Sequence, residues 1–116
     1  MAKKRKNSRD KGARGEREAA AELSRIFGCE ARRGCQFAGG PNSPDVLVDL
    51  PGIHFEVKRT ERLSLYPAME QAIGDAGQHN VPMVIHRANG KPWLAIVRLD
   101  DLPELAVKLY LSRAAQ

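Results

Sequence analysis

Three acidic residues and a lysine lie in a stretch that has the alternation of a β-hairpin. Over residues 44–58, apolar and polar residues alternate around a Pro-Gly turn at 51–52. With an even-numbered loop, Asp45 lies opposite Lys58, and Glu56 is the diagonal neighbour of Asp45. We expect Val46, Val48, Leu50, Ile53, Phe55 and Val57 on one face, and Asp45, Leu47, Asp49, His54, Glu56 and Lys58 on the other.

This predicted polar face carries the side chains for metal chemistry. Diagonal partners in a hairpin have Cα atoms roughly 7–8 Å apart, so the Asp45 and Glu56 carboxylates can converge on one hard cation. Lys58 adds a positive charge beside them. An ordinary half-buried hairpin with its polar face in water gives the same alternation, and this alternative stays open. His54, near the turn, fits the plainer interpretation better than a role as a metal ligand.

A third carboxylate lies on the apolar stripe of the predicted first helix. Glu16, Ala20, Leu23 and Phe27 are spaced so that they share one helix face. A carboxylate aligned with a buried stripe needs a partner, which a metal ion or a lysine would supply. Alternatively, Glu16 lies in the first turn beyond the core, where the helix dipole favours an acidic residue.

Three helices and five strands can be read around these residues, and they predict an α/β domain with mixed strand pairing. The helices are expected at about Asp10–Phe27, Pro67–Ala76 and from Asp100 or Asp101, and the strands near Cys29–Arg33, Asp45–Leu50, Ile53–Lys58, Val81–Arg87 and Trp93–Arg98. We expect the last helix to place Leu102, Leu105, Ala106, Leu109 and Tyr110 on one stripe. Gly12 and Gly15 are poor helix residues, which indicates a close approach to phosphate or to another backbone.

The positive charge of the chain is concentrated near its N-terminus. The 116 residues include 19 Lys+Arg and 14 Asp+Glu, a net charge of +5, and residues 1–17 alone carry +6. We therefore expect a basic arm over residues 1–9, before a single domain over residues 10–116. Such an arm suits nucleic acid, although a solvated tail is the alternative. Without a membrane-length apolar run, a signal-peptide pattern or a cysteine framework, membrane, extracellular and fibrous classes are not expected.

The motifs resemble those of a known nuclease family. Pro44-Asp45 followed by Glu56-Val57-Lys58 resembles the PD-(D/E)XK nuclease signature, and residues 11–18, KGARGERE, are similar to the first helix of archaeal Holliday junction resolvases of the Hjc type and their phage and bacterial relatives. The resemblance covers about residues 10–98. It implies a single PD-(D/E)XK nuclease domain with an αβββαβ core, in which helices flank a mixed central β-sheet. The loop at 34–44 and the last helix lie outside the clear match.

The resemblance also implies roles for individual residues. Asp45 and Glu56 match the principal metal ligands, joined by the Val57 carbonyl, and Glu16 matches a helix carboxylate that assists the metal or its water. Lys58 matches the lysine that positions or activates this water. The catalytic residues would thus be Glu16, Asp45, Glu56 and Lys58, and Arg17 and Arg33 match family arginines that contact phosphate. Together with the basic N-terminal segment, DNA contacts are expected from Lys3, Lys4, Arg5, Lys6, Lys11, Arg14, Arg17 and Arg33. Arg32 is the alternative to Arg33, and contributions of Ser43 or Gln71 stay open.

The activity implied is that of a Mg²⁺-dependent structure-selective endonuclease of DNA recombination and repair, with Mn²⁺ as a substitute. A homodimer would make paired nicks in a four-way DNA junction, in the cytoplasm of a bacterial or phage-infected cell, with no membrane and no small-molecule cofactor involved. The leading alternative is a PD-(D/E)XK DNA nuclease without junction preference, acting on duplex, flap or single-stranded DNA. Non-catalytic DNA binding and RNA binding are further alternatives.

Overall fold

The computed structural model describes residues 8–34 and 45–114, which form a mixed α/β fold with three helices and two small sheets. The helices are α1 (Ser8–Phe27), α2 (Leu65–Ala76) and α3 (Leu102–Ala114), with a 3₁₀ turn at Leu99–Asp101 before α3. The strands are β1 (Ala31–Arg33), β2 (Val46–Val48), β3 (Ile53–Arg59), β4 (Val81–Arg87) and β5 (Leu94–Ile96). Each predicted helix and strand therefore forms, in the predicted order.

The described strands form two sheets, whereas the resemblance implies one mixed central sheet. β1 and β2 pair antiparallel, with Arg33 opposite Val46. In the second sheet β3 pairs parallel with β4, and β4 pairs antiparallel with β5. The α2 helix connects the two parallel strands, as the crossover between parallel strands requires. The antiparallel pairing of β4 and β5 confirms the predicted hairpin, and Gly90 in its turn has a φ of +70°.

The predicted hairpin between β2 and β3 is wrong, because within the described residues β2 pairs with β1 and β3 pairs with β4. The Asp45 carbonyl accepts the Gly34 N–H at 2.9 Å, so the Asp45 backbone bonds toward β1. Its side chain instead reaches β3, where Oδ2 accepts the Val57 N–H at 2.8 Å. The Asp45 side chain therefore links the start of β2 to β3, where a hairpin would have backbone hydrogen bonds.

The predicted apolar face of these two strands nevertheless lies in the core. Four of its six side chains are buried: Val46, Leu50, Phe55 and Val57. The other two, Val48 and Ile53, are partly buried and pack against the same cluster. From α1, Ala20 and Leu23 join them, which confirms the predicted helix stripe. Removal of this apolar surface from water is the main force that holds α1 against the strands.

The opposite face of β3 is buried as well, so the alternative that places this face, with His54, in water is wrong for β3. His54 and Glu56 are only 5% and 2% exposed. The α2 helix covers them, because its small and apolar side chains pack down onto the β3–β4 pair: Ala68, Met69, Ala72 and Ala76 are all buried. Strands of parallel pairs are commonly buried on both faces. Polar side chains of β3 are therefore enclosed between the sheet and a helix.

The α3 helix covers only an edge of the core. Leu105 is buried and Leu109 packs against the core, but Leu102 and Tyr110 of the predicted stripe are 44% and 73% exposed. The single buried stripe expected for this helix is therefore only partly realised. Within the described part of the chain, every helix lacks the combination of length and apolar character that a bilayer crossing requires.

Candidate functional site

Asp45 and Glu56 meet at the side of β3 that faces β2. Glu56 lies in the middle of β3 and is almost fully buried, whereas Asp45 directly precedes β2. The Val57 N–H holds the Asp45 carboxylate at 2.8 Å, and the Asp45 and Glu56 side chains interact through a hydrogen bond. The two carboxyl groups predicted to converge are thus in direct contact, although the hairpin expected to position them does not form.

The crowding of acidic groups changes the protonation of Asp45. Burial raises the pKa of Asp45 first, the charge of Glu56 raises it further, and the pKa reaches about 7. Glu16 acts in the same direction through its charge, while the hydrogen bond from the Val57 N–H lowers the pKa. Near neutral pH the metal-free cluster therefore holds a proton for much of the time. A cation among these groups would replace that proton, because it favours the ionised carboxylates.

Glu16 points from α1 into the same region and has a partner of its own. It is 8% exposed, and its Oε1 accepts a hydrogen bond from the Arg33 Nε at 2.8 Å. The sequence-based expectation of a metal ion or a lysine did not include this arginine. Of the two candidate arginines of β1, Arg33 faces the acidic cluster while Arg32 is exposed, because successive residues of a strand point to opposite sides.

Lys58 lies at the open end of the polar face of β3. Its Nζ is 3.7 Å from Glu56 Oε2 and donates a hydrogen bond of 2.9 Å to Gln71 Oε1 of α2. The Lys58 side chain is 28% exposed, so its ammonium group is held between a buried carboxylate and the solvent. Gln71, for which the sequence left two alternatives open, is exposed and contacts this lysine.

The buried end of the same face holds a group that the sequence analysis missed. His54 Nε2 lies 3.5 Å from Glu56 Oε1, and one potential ligand atom from each of His54, Glu56 and Asp75 lies within 4.8 Å of the others. Asp75 follows Gln71 by four positions, so both lie on the α2 face above β3. That helical spacing was visible in the sequence, but the register of α2 on β3 was not.

The predicted DNA contacts are only partly within the described residues. Arg14 and Arg17 are exposed on α1, and Lys11 belongs to the first turns of this helix. The basic residues Lys3, Lys4, Arg5 and Lys6 lie outside the described residues, as does Ser43. Arg14 also lines a cleft of about 260 Å³ beside Gly15. The exposed arginines of α1 thus offer positive charge on the same helix that carries Glu16.

A network of ion pairs, which the sequence did not predict, links α1 to the C-terminal ends of β3 and β4. Glu18 pairs with Arg59 at 3.3 Å and also binds the Arg87 guanidinium. On the same helix, Arg25 pairs with Glu22. This network brings residues together that are far apart in sequence.

The donor set at Asp45 suits a hard divalent cation. The carboxylates come from three separate segments of the chain, two of them are nearly fully buried, and burial together with their mutual repulsion raises the pKa of Asp45. Oxygen ligands of this kind are those that Mg²⁺ prefers. Asp45 and Glu56 are therefore the residues that could hold such a cation, and Lys58 Nζ lies 3.7 Å from Glu56 Oε2 beside them.

Comparisons with known proteins found no match for this chain: no family model, no curated protein and no solved structure is significantly similar to it. A function for the chain is therefore argued from its own residues and their geometry.

Proposed function

We propose that this protein is a Mg²⁺-dependent DNA endonuclease, and specifically a Holliday junction resolvase that makes paired nicks in four-way junctions. The observation that carries the proposal is the convergence of Asp45 and Glu56, with the charge of Glu16 acting on them and Lys58 Nζ 3.7 Å from Glu56. These four residues are the ones to which the motif resemblance assigns catalysis. The element order α1–β1–β2–β3–α2–β4 supports the proposal, because it follows the αβββαβ order of that family.

Asp45 and Glu56 would hold the Mg²⁺ ion, with Glu16 assisting from α1. The Val57 carbonyl, which the resemblance adds to the ligands, belongs to the residue whose N–H binds Asp45. Bound there, the cation supplies an activated water and neutralises charge that develops on the phosphate. The chain contributes the Asp45 and Glu56 carboxylates, which contact each other, and the charge of Glu16 acts on them from α1.

Lys58 would act on the water or on the phosphoryl oxygens. Its ammonium group is a compact charge with three donors, of which one is used by Gln71. The remaining donors can reach an anion placed at the exposed end of the polar face. The Arg33 ion pair restrains the Glu16 carboxylate, so we assign Arg33 a positioning role in addition to the phosphate contact that the resemblance implies.

DNA binding would depend on the basic side chains of α1 and of the N-terminal arm, residues 1–9. Arg14 and Arg17 are exposed on α1, and the arm contributes Lys3, Lys4, Arg5 and Lys6. Each phosphate that they neutralise releases counterions, so we expect the affinity for junction DNA to fall steeply with salt. The arm carries most of this charge, and its removal should weaken binding to all DNA substrates alike.

Paired nicks require two active sites, so we propose a homodimer. The α3 helix offers a candidate surface, because its Val107, Tyr110 and Leu111 side chains are 56%, 73% and 59% exposed. Sedimentation of the full chain, with Tyr110→Glu as the variant, tests this part. We expect the wild-type protein to sediment as a dimer and the variant to shift towards monomer, and a monomeric wild type would contradict the paired-nick proposal.

The activity test uses the full chain with matched four-way, flap and linear duplex DNA in Mg²⁺. Asp45→Asn keeps the size of the side chain and removes a ligand charge, so we expect cleavage to fall by more than about 100-fold, since even outer-shell changes at metal sites cost 10–100-fold. Asp49→Asn is the matched control, because Asp49 is an exposed aspartate outside the cluster. Junction binding should persist in both variants.

Two results would contradict the proposal at different levels. Cleavage by Asp45→Asn at the wild-type rate would show that the active site has been assigned wrongly. Equal wild-type rates on the four-way, flap and linear substrates would remove the junction selectivity and leave a PD-(D/E)XK DNA nuclease without junction preference.

A further inference from the structure

The α2 helix and β3 enclose a row of polar side chains that the proposed nuclease centre uses only in part. His54, Glu56 and Lys58 alternate along β3 and lie under α2. Gln71 of α2 binds Lys58 at one end of the row, and Asp75 lies near His54 and Glu56 at the other. His54 and Asp75 have no part in the proposed cleavage, so their position needs a separate explanation.

The donor types at this end of the row suit a transition metal. One imidazole nitrogen and two carboxylate oxygens, from His54, Glu56 and Asp75, lie within 4.8 Å of one another. His54 and Glu56 are buried, and Asp75 is half-buried. Nitrogen–oxygen sets of this kind favour Zn²⁺ and related dications, whereas Mg²⁺ prefers oxygen ligands alone. Three protein ligands also leave a position for water.

The separation between His54 and Glu56 fits shared coordination better than a direct hydrogen bond. The 3.5 Å between His54 Nε2 and Glu56 Oε1 is long for a hydrogen bond between ring nitrogen and carboxylate. Ligands about 2.0–2.2 Å from a tetrahedral zinc ion lie roughly 3.3–3.6 Å from each other. The separation between His54 and Glu56 lies within this range, and the Asp75 carboxylate lies within 4.8 Å of both.

A cleft gives access to these atoms from solvent. It has a volume of about 330 Å³ and lies beyond the C-terminal end of α2, where His54 and Asp75 line it together with Gly77, His79 and Asn80. This is enough room for a hydrated cation, since a water molecule occupies about 30 Å³ of liquid. A metal ion can thus reach His54 and Asp75 without passing the Asp45 side of the sheet.

Two lysines near this cleft differ in their partners, since Lys108 bonds to backbone carbonyls and Lys58 contacts Glu56. Lys108 donates to the carbonyls of His79 and Gly52, at 2.8 and 3.1 Å. Lys58 lies next to Glu56 Oε2, whereas His54 lies next to Oε1 of the same carboxylate. The two Glu56 oxygens therefore have different basic neighbours, and Oε1 is the one beside His54.

We propose that His54, Glu56 and Asp75 form a second cation site, which takes Zn²⁺ or a similar transition dication in preference to Mg²⁺ and shares Glu56 with the proposed nuclease centre. The site does not depend on the nuclease proposal, because two of its three ligands are absent from that centre. Water from the cleft completes the coordination.

The test is a titration of the tag-free full chain with Co²⁺, a spectroscopic probe for zinc sites, in an Asp45→Asn background that weakens the other centre. We expect one equivalent of Co²⁺ with visible absorption bands and an imidazole ligand. Zn²⁺ should displace it at equimolar concentration, and millimolar Mg²⁺ should not. His54→Gln and Asp75→Asn should each weaken binding at least 10-fold, whereas the matched controls His86→Gln and Asp49→Asn should not change it.

Circular dichroism of the metal-free variants separates loss of ligands from loss of fold. Because His54 is buried, the His54→Gln variant could lose its fold. In that case the Co²⁺ affinity of Asp75→Asn alone tests the proposed site. The proposal is overturned if no Co²⁺ binds up to 1 mM, or if Asp75→Asn binds it as tightly as the background protein. Mg²⁺-dependent cleavage by the wild-type chain would be unaffected by that outcome, and a failure of cleavage would leave a measured Co²⁺ site intact.

Discussion

The raised pKa of Asp45 makes the stability of the metal-free protein depend on pH in a direction unusual for a carboxylate. In the folded protein the pKa of this carboxyl is about 7, against an ordinary value of 3.8. Between these values the folded state binds more protons than the unfolded chain, so the free energy of unfolding falls as pH rises. The contribution is fully present below pH 3.8 and is lost once pH has passed about 7.

The size of the effect follows from the shift. At 1.36 kcal/mol per pKa unit, a rise of about three units corresponds to roughly 4 kcal/mol in total, and about 3 kcal/mol of it is lost between pH 5 and pH 8. Asp45→Asn removes the titration but keeps an oxygen to accept the Val57 N–H bond. We therefore expect the stability of this variant relative to the wild type to increase with pH. The gain in the free energy of unfolding between pH 5 and pH 8 should be about 3 kcal/mol.

Urea denaturation in EDTA at pH values from 5 to 8 measures this difference directly. Asp49→Asn, an exposed aspartate, is the control and should follow the wild-type curve. Saturating Mg²⁺ should flatten the wild-type dependence, because the cation takes over the stabilisation that the proton supplies. If wild type and Asp45→Asn show the same pH dependence in EDTA, burial and the charge of Glu56 do not raise the pKa of Asp45. That result would also contradict the geometry of the proposed metal centre.

Two further predictions concern the contacts between α1 and the strands. A Cβ on Gly15 would lie 2.6 Å from the Arg59 Cβ, whereas one on Gly12 meets nothing within 4 Å. In thermal or urea unfolding, Gly15→Ala should therefore lower stability by about 1–3 kcal/mol, while Gly12→Ala should raise it by up to about 1 kcal/mol, and equal effects would contradict the close approach. Glu18→Gln removes the charge that Arg59 and Arg87 share. It should cost about 1 kcal/mol at low salt and less at 1 M NaCl, and a cost independent of salt would show that the network acts by packing rather than by charge.

Much of the local structure was readable from residue types and their spacing. Alternation predicted which side chains of β2 and β3 enter the core, and burial of Val46, Phe55 and Val57 confirms it. Helical spacing placed Glu16 on the buried stripe of α1. The helix was expected to end at Phe27, and it does end there, before Gly28 with its φ of +66°. These features depend on neighbours in sequence and on the periods of helix and strand, so a single chain carries them.

Contacts between elements were not readable in the same way. Alternation assigns a side chain to a face, but it does not identify the strand that pairs at an edge or the helix that covers the face. The expected β2–β3 hairpin therefore failed, while the side chain of Asp45 still reached β3 at Val57. The burial of His54 and its approach to Asp75 depend on how α2 packs across β3. Packing of this kind depends on the shapes of surfaces that only the folded chain brings together.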